Sequence, residues 1–362
     1  MEGKIKECQA KLKQWSCLHF GKITRVLKEK NEQLRRAEEE AIRRGSMDRV
    51  HRLKWEINGL LIKEEKMWKQ RSKALWLHEG DQNTRFFHNH ASHRFRRNQI
   101  DELQNGEGVM CLDKEEIAQI LVTHYQELFH SANPSNLESV LEAIPTLITP
   151  DLNDLLTAKF VKDEVDEALK QMDPLKAPGL DELPPLFFQK FWSTIREDVS
   201  QAVTNCLNTS SIPATINCTF ITLIPKVKNP SRVSDFRPNA LCNIIYKLVS
   251  KVVANRLKKV LPYIISDSYS AFQSNKTISN NILVAFEMLH QMKNQKSKNA
   301  DFMTMKLDMS KVYDRVEWKF LIEVMRKMGF CETWIAIISQ CISTVSYSIL
   351  VFGEPKGDIH PT

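Results

Sequence analysis

The chain has 362 residues, of which 42% are hydrophobic and 26% are charged, and its formal net charge is +7. This balance is typical of a globular protein with two or three domains and excludes a disordered tail. The eight cysteines lie far apart without a C-x-x-C pair, which indicates reduced thiols in an intracellular compartment, nuclear or cytoplasmic. Because no apolar run reaches about 18 residues and the start is charged, we expect no signal peptide and no membrane partner.

Positive charge is concentrated in the first part of the chain. Residues 1–100 contain 24 Lys+Arg and 13 Asp+Glu, a net charge of +11, whereas the remainder contains 27 against 31, a net charge of −4. Such an asymmetry favours contact with a polyanion, because lysine and arginine release counterions from phosphates. A long solvated helix would have the same composition, so both interpretations stay open.

Residues 1–80 are predicted to form a basic helical hairpin. From Ile23 to Leu77 there is no proline, and apolar residues return at helical spacing. Gly45 is expected to end the first helix, and Ser46 or Asp48 to cap the second. A plain coiled-coil spacer and a nucleic-acid-binding hairpin fit this pattern equally well.

An arginine-rich and aromatic segment follows within residues 76–100. Its arginines and phenylalanines are Arg85, Arg94, Arg96, Arg97, Phe86, Phe87 and Phe95. Arginines bind phosphates and phenylalanines stack on bases, so this composition predicts an RNA or single-strand surface formed by the four arginines. Alternatively, the adjacent phenylalanines belong to a core and the arginines only solvate a loop. The three nearby histidines favour surface positions over zinc, since no cysteine lies close to them.

The rest of the chain alternates helical and strand patterns, which predicts an α+β, helix-rich fold. Residues 81–150 are interpreted as an N-terminal extension and connector. The expected helices are Val161–Lys170, Leu186–Leu207, Asn239–Leu261 ending at Pro262, Ile278–Met292 capped by Ser279 or Asn280, Glu317–Met328 stopped by Gly329, and Glu332–Ile342. The expected strands are Thr219–Pro225, Phe302–Met309 and Thr344–Phe352.

The strand predicted at Phe302–Met309 would deliver Asp308 to a turn, with Tyr313 five residues later. A carboxylate at the end of a rigid strand can hold a divalent ion against a triphosphate, and an aromatic beyond it can form the floor of a sugar pocket. An aspartate followed by Ser310 is also a common cap for the next helix. Lys226 and Arg237 are two cations that flank one predicted hairpin.

Six segments, taken in order, resemble the reverse transcriptase of plant non-LTR retrotransposons of the LINE class. They read KAPGLDELPPLFFQKFW, TFITLIPK, DFRPNALCNIIYKLVSKVVANRL, SAFQSNKTISNNILVAFEMLH, KLDMSKVYDRVEW and TVSYSILVFGEPKG. The resemblance extends from about Trp76 to the end. It implies a right-hand polymerase fold, with fingers over residues 151–300 and the first part of the palm over residues 301–362.

The same resemblance implies an RNA-directed DNA polymerase with an RNA template, a DNA primer, dNTP substrates and Mg²⁺ as cofactor. By that match Asp308 resembles the palm carboxylate that bridges two metal ions, and Tyr313 resembles the aromatic gate that rejects a ribose 2′-OH. Lys226 and Arg237 resemble the fingers cations that hold the incoming triphosphate.

Departures from the family pattern suggest a decaying copy. A loop that usually reads KAPGPDG is Lys176–Glu182, KAPGLDE, which lacks a proline and a final glycine. Asn239 stands where an apolar residue is usual, and Tyr269–Lys276 lacks the usual Pro-Gly. The family's Ala-Asp-Asp segment has no counterpart within the 362 residues, so we expect a fragment that does not polymerise by itself. The alternatives are a non-catalytic RNA-binding module and an unstable pseudogene product whose palm strand has an exposed edge.

Overall fold

The computed structural model describes residues 2–19, 23–72, 84–134, 137–266, 269, 277–294, 303–305, 307 and 315–362. The helices in the N-terminal part are α1 (Glu2–His19), α2 (Ile23–Arg44), α3 (Asp48–Ser72), α4 (Thr84–Arg97), α5 (Lys114–Leu128), α6 (Glu138–Glu142) and α7 (Pro150–Thr157). Those that follow are α8 (Lys162–Lys170), α9 (Pro185–Lys190), α10 (Trp192–Asn208), α11 (Ile244–Ile264), α12 (Ile278–Asn294), α13 (Trp318–Met328) and α14 (Glu332–Ser343). The strands are β1 (Leu103–Gln104), β2 (Met110–Cys111), β3 (Cys218–Pro225), β4 (Phe236–Cys242), β5 (Ser346–Val351) and β6 (Glu354–Ile359). The predicted mixture of many helices with few strands is confirmed.

Helices α2 and α3 form the predicted hairpin. The break lies at Gly45, whose φ of +74° is accessible to glycine at little cost and ends α2. Apolar side chains at helical spacing meet across the hairpin, where Ala37 and Val50 are almost fully buried. This part of the prediction is confirmed.

A four-stranded sheet has the order β4-β3-β5-β6. Strand β3 pairs antiparallel with β4 and parallel with β5, and β5 pairs antiparallel with β6. Along β3, Ile221 and Leu223 face a core that Ile117 and Leu121 of α5 complete, whereas the alternate residues point to the opposite face. The strands predicted around β3 and β5 are confirmed, and the chain turns between β5 and β6 at Phe352 and Gly353, both of which have positive φ.

A second, larger core lies among α7 to α11, α13 and α14. Its fully buried side chains include Phe188, Leu248 and Trp334. The helices predicted here are confirmed for α8, α13 and α14, and Gly329 ends α13 in the left-handed conformation, with φ of +92°. The helix predicted over Leu186–Leu207 is two helices, because the chain breaks at Phe191.

The helix predicted over Asn239–Leu261 is wrong at both ends. Its first residues belong to β4, which pairs with β3 over its whole length, and Pro238 is tolerated because β4 is an edge strand. Helix α11 also continues past Pro262, which lies in its last turn and removes one hydrogen bond there. Asn239 is exposed on β4, where a polar side chain is readily accommodated.

The predicted caps of α12 are wrong as well, because Ser279 and Asn280 lie inside its first turn and Thr277 precedes it. Of the strand predicted over Phe302–Met309, the structure describes residues 303–305 and 307, which belong to no strand, and the others lie outside the described residues. The domain boundaries at residues 80, 150 and 300 stay a prediction. None of the helices in the described ranges has the length and apolar character needed to cross a membrane.

Candidate functional site

Lys226 and Arg237 lie on one face of the β3–β4 hairpin. Arg237 is opposite Ile224 in the antiparallel register, and Lys226 follows two residues after Ile224, so it shares that face. Diagonal neighbours of this kind lie about 7–8 Å apart, with their Cβ atoms somewhat closer. Both side chains are exposed, and the face they occupy is the one turned away from the α5 core.

The loop between β3 and β4 is held in shape by its own polar groups. The Asp235 carboxylate accepts from the N–H groups of Ser231 (3.1 Å) and Arg232 (3.0 Å), and these bonds lower the pKa of Asp235 below its ordinary value. The Lys226 N–H donates to the Asp235 carbonyl at 2.7 Å, and its Nζ donates to the Ser234 carbonyl at 2.8 Å. The ammonium of Lys226 is therefore positioned by the loop.

A small hairpin supports this loop from outside. The Gln104 N–H in β1 donates to the Ser231 carbonyl at 2.7 Å, and Arg232 Nε donates to the Gln104 side-chain oxygen at 3.0 Å. Sequence reasoning missed the β1–β2 hairpin, although the Asn105-Gly106 dipeptide is a known hairpin signal. The extension before residue 150 thus contributes to the position of Lys226.

The loop before α9 forms a tight joint with the start of α11. A Cβ added to Gly179 would lie 2.4 Å from the carbonyl carbon of Cys242, so the backbones approach as closely as glycine permits. The Asp181 carboxylate accepts from the Ile244 N–H at 2.7 Å and from the Gly179 N–H at 3.2 Å. Burial raises the pKa of Asp181, although these bonds and the charge of Lys247 oppose the change.

Glu182, where the family pattern has glycine, is one of four non-glycine residues with positive φ in the described ranges, at +50°. This conformation is costly for a side chain with a Cβ. The predicted loss of a glycine from this loop therefore has a visible consequence in the backbone.

The four arginines predicted to bind RNA are on α4, but their surroundings differ. Arg94 donates to the Ser72 carbonyl at the end of α3 at 3.2 Å, and it therefore joins the two helices. Arg85, Arg96 and Arg97 are exposed. The predicted aromatic surface is only partly present, because one phenylalanine of the adjacent pair is core.

That core residue is Phe87, which is 2% exposed, while Phe95 is 70% exposed. Phe86 packs edge-on against Phe87 with ring centroids 5.5 Å apart. The alternative in which the phenylalanine pair belongs to a core is thus correct for Phe87. Phe95, between Arg94 and Arg96, is the aromatic side chain of α4 that remains open for stacking.

The predicted metal and sugar-gate residues, Asp308 and Tyr313, lie outside the described residues. Within the ranges that are described, no group of three or more His, Cys, Asp or Glu side chains is arranged to hold a metal ion. The site residues that the structure describes are therefore the cations of the β3–β4 hairpin and of α4.

Comparison with known proteins places a polymerase family over the hairpin and the strands that follow it. Residues 224–358 match the family described as reverse transcriptase (RNA-dependent DNA polymerase). The match begins within β3 and includes Lys226 and Arg237. It extends into β6 and ends at residue 358.

Two transposon proteins are similar over a larger part of the chain. A Xenopus laevis protein named "Transposon TX1 uncharacterized 149 kDa protein" is 27% identical over 295 residues, which are 78% of this chain and 22% of that protein. A Drosophila melanogaster protein named "Probable RNA-directed DNA polymerase from transposon BS" is 23% identical over 225 residues, which are 61% of this chain and 24% of that protein. The chain spans less than a quarter of the length of these curated relatives.

Proposed function

We propose that this chain is the fingers and first palm portion of a non-LTR retrotransposon RNA-directed DNA polymerase, and that it binds the incoming dNTP and the RNA template. The observation that carries the proposal is the shared face of Lys226 and Arg237 on a hairpin within the residues that match the reverse transcriptase family. The chain aligns with less than a quarter of each relative. Polymerisation is therefore assigned to the whole protein, and binding to this portion of it.

The two cations suit a triphosphate for different reasons. The Arg237 guanidinium is a planar donor that can bind two phosphate oxygens at once, while the Lys226 ammonium is a compact charge. Their separation across the hairpin is comparable to the length of a polyphosphate. Lys226 Nζ donates one of its three N–H groups to the Ser234 carbonyl, which leaves two donors for phosphate oxygens.

Magnesium would neutralise the triphosphate and the charge that develops during transfer. We assign Asp308 to hold it and Tyr313 to contact the sugar, both by resemblance to the family.

Photo-crosslinking of an azido-dNTP in the presence of Mg²⁺ tests the nucleotide site. We expect Lys226→Ala and Arg237→Ala to reduce crosslinking about tenfold, and unlabelled dNTP to compete far better than dNMP. Lys228→Ala is the matched control, because Lys228 is an exposed lysine in the same loop, two residues farther on. Equal crosslinking in all three variants would refute the assignment.

RNA binding through α4 is the second part of the proposal. It is supported by the exposed Arg85, Arg96 and Arg97 and by the exposed ring of Phe95. Loss of Phe95 removes a stacking surface, for which we expect about 1–3 kcal/mol of binding free energy per base. Fluorescence anisotropy with a labelled single-stranded RNA measures it, and Phe95→Leu affinity equal to that of the unaltered chain would contradict stacking.

A further inference from the structure

The outward face of α11 carries a row of lysines that no part of the assignment above uses. Helix α11 contains five cationic residues and no acidic residue. Lys247, Lys251 and Lys258 follow one another at intervals of four and seven residues, so they lie along one side of the helix. The opposite side is the buried one and includes Leu248 and Val252.

Lys176 joins this row from a different part of the chain. The loop that contains it is fixed to α11, because Lys247 Nζ donates to the Ala177 carbonyl at 2.9 Å and Gly179 touches the backbone at the start of α11. The loop and the helix thus form one surface, which we call the lysine row: Lys176, Lys247, Lys251 and Lys258.

The lysines of the row are close enough to repel one another. Burial lowers the pKa of Lys251, and the charges of Lys258 and Lys176 lower it further. Burial also lowers the pKa of Lys247, where Lys176 adds to the effect and Asp181 opposes it. Like charges brought together in this way cost free energy that a bound anion would recover.

Carboxylates of the described residues do not pair with the row. Arg256 faces the other way, where it pairs with Glu164, and Lys259 acts on the same carboxylate. None of the four lysines of the row forms an ion pair with a described acidic side chain. Lys176 and Lys258 are exposed and Lys251 is half-buried, so their charge is available to an external polyanion, whereas the half-buried Lys247 is also attracted by Asp181.

We propose that the lysine row binds the sugar–phosphate backbone of a nucleic acid strand. From Lys247 to Lys258 the helix rises by about 16 Å, since each residue adds about 1.5 Å. One strand of a stacked duplex presents a phosphate about every 3.4 Å along the helix axis, so the row is as long as about five nucleotides of such a strand. A row of lysines without aromatic side chains reads phosphates and carries no base preference.

This inference rests on the proposed function, because it assumes that the chain binds nucleic acid, and it adds a second contact surface to α4. The two surfaces differ in kind. On α4 an exposed ring accompanies the cations, whereas the row on α11 consists of ammonium groups alone. A strand bound at the row is therefore held by charge.

The test is the salt dependence of RNA binding, measured by anisotropy with a labelled single-stranded 25-mer. The variant is Lys176→Gln, Lys251→Gln and Lys258→Gln together, which spares Lys247 because its hydrogen bond fixes the loop. The control has the same change in net charge: Lys159→Gln, Lys190→Gln and Lys319→Gln, three exposed lysines on other parts of the surface. Thermal unfolding of both variants checks that the fold is intact.

We expect the row variant to lower the slope of log K against log salt concentration by about 2, since each lost phosphate contact contributes about 0.7 on a single strand. Binding at 0.1 M salt should weaken roughly 10- to 100-fold, and the control should change the slope little. Binding of single-stranded DNA of the same sequence should weaken equally, because RNA and DNA present the same phosphates to the lysines. A loss on RNA alone would overturn backbone recognition.

Two other results would also overturn the inference. If the row variant and the control keep the slope of the unaltered chain while RNA still binds, the row is not a contact, and the proposed function stands. If the row variant loses affinity only for phosphatidylserine vesicles, the surface is a lipid-binding one. Absence of RNA binding by the unaltered chain would remove the inference together with the RNA-binding proposal, while the azido-dNTP crosslink would still test the nucleotide site.

Discussion

In the α2–α3 hairpin, six of the fourteen lysines and arginines lie beside glutamates of the same hairpin, whereas α11 has no acidic residue of its own. Six hairpin cations form such ion pairs: Arg25, Lys30, Arg35, Arg36, Arg49 and Lys54. On α11 the inward Arg256 is neutralised by Glu164, and Lys247, Lys251 and Lys258 form no ion pair with a described acidic side chain, although Asp181 attracts Lys247. The net charge of a segment therefore does not locate a polyanion site, because only cations that are not already paired release counterions on binding.

The difference also separates cations that support the fold from cations that are available to a ligand. Exposed ion pairs such as Arg36–Glu32 contribute little to stability, since water screens them. In the pair between Arg256 of α11 and Glu164 of α8, Arg256 is buried and Glu164 is half-buried, and removing one partner leaves the other charge without compensation. Substitutions of an exposed hairpin arginine and of Arg256 can test these two expectations.

Arg256→Met should have the largest effect. The Arg256 side chain is 5% exposed, and two of its nitrogens donate to the Glu164 carboxylate at 2.7 Å each. It also donates to the carbonyl groups of Leu156, Ala158 and Lys159. We expect the free energy of unfolding, measured with urea at pH 7, to fall by about 3–5 kcal/mol.

The control is Arg36→Met, for which we expect no measurable change because that pair is exposed. The pH dependence adds a second check. Burial alone would raise the pKa of Glu164, but the bonds from Arg256 and from the Val161 N–H more than offset it and lower the pKa. Glu164 therefore adds stability above its unfolded pKa, and this contribution is lost as pH falls through the lower folded pKa. In Arg256→Met the stability should therefore fall less on acidification, because Glu164 no longer has its partner. If the acid dependence of stability were unchanged, the ion pair between Arg256 and Glu164 would be contradicted.

Gly179→Ala should have the next largest effect, since its Cβ would overlap the Cys242 backbone. We expect a loss of about 1–3 kcal/mol in the free energy of unfolding. Gly106→Ala is the control, because its Cβ would meet no atom within 4 Å. Gly179→Ala should also weaken RNA binding by the lysine row, because it would displace Lys176 from α11. The slope of log K against log salt concentration would measure this change. Equal stability of the two alanine variants would show that the backbone around Gly179 and Cys242 can shift at little cost.

Local signals in the sequence were sufficient for several elements. Glycine at Gly45 and Gly329 marked helix ends, and the β-branched run of β3 marked a strand. The sequence predicts a helix at residues 239–242 because a short apolar run has the same pattern in a buried helix and in a buried strand. These residues form a strand because they pair with β3, and the spacing of apolar residues within β4 does not reveal that pairing.

The candidate site was harder to predict because its parts come from distant segments. The bond between Lys247 and Ala177 joins residues 70 apart, so no window of sequence places Lys176 beside α11. An arginine in a charged helix reads as a surface residue, yet Arg256 is 4% exposed. The strand pattern predicted that Lys226 and Arg237 flank one hairpin, and the structure adds the register that puts them on one face.

Glu182→Gly is expected to stabilise the protein. Glu182 has φ of +50°, which costs about 1–2 kcal/mol for a residue with a Cβ and nothing comparable for glycine. We expect a gain of about 1 kcal/mol in the free energy of unfolding, because the greater freedom of glycine in the unfolded chain opposes part of it. Glu182→Ala is the matched control. Like Glu182→Gly it removes the ion pair with Lys13, at 3.9 Å, but it keeps a Cβ at a residue with positive φ. A gain in both variants would mean that the side chain, not the backbone, is unfavourable.

The smallest effect is expected from the hairpin cations, and it returns to the opening comparison. Arg35→Gln, Arg36→Gln and Arg49→Gln together remove three charges, as the lysine-row variant does, but each of these arginines already lies beside a glutamate. A phosphate would have to displace that glutamate, so little counterion release is lost, and the RNA salt slope should change by well under the shift of about 2 expected for the row. Anisotropy titrations of the two variants over the same salt range decide this. If the hairpin variant gave the larger change in slope, the polyanion surface would be the N-terminal hairpin, and ion pairing would not distinguish structural from binding cations.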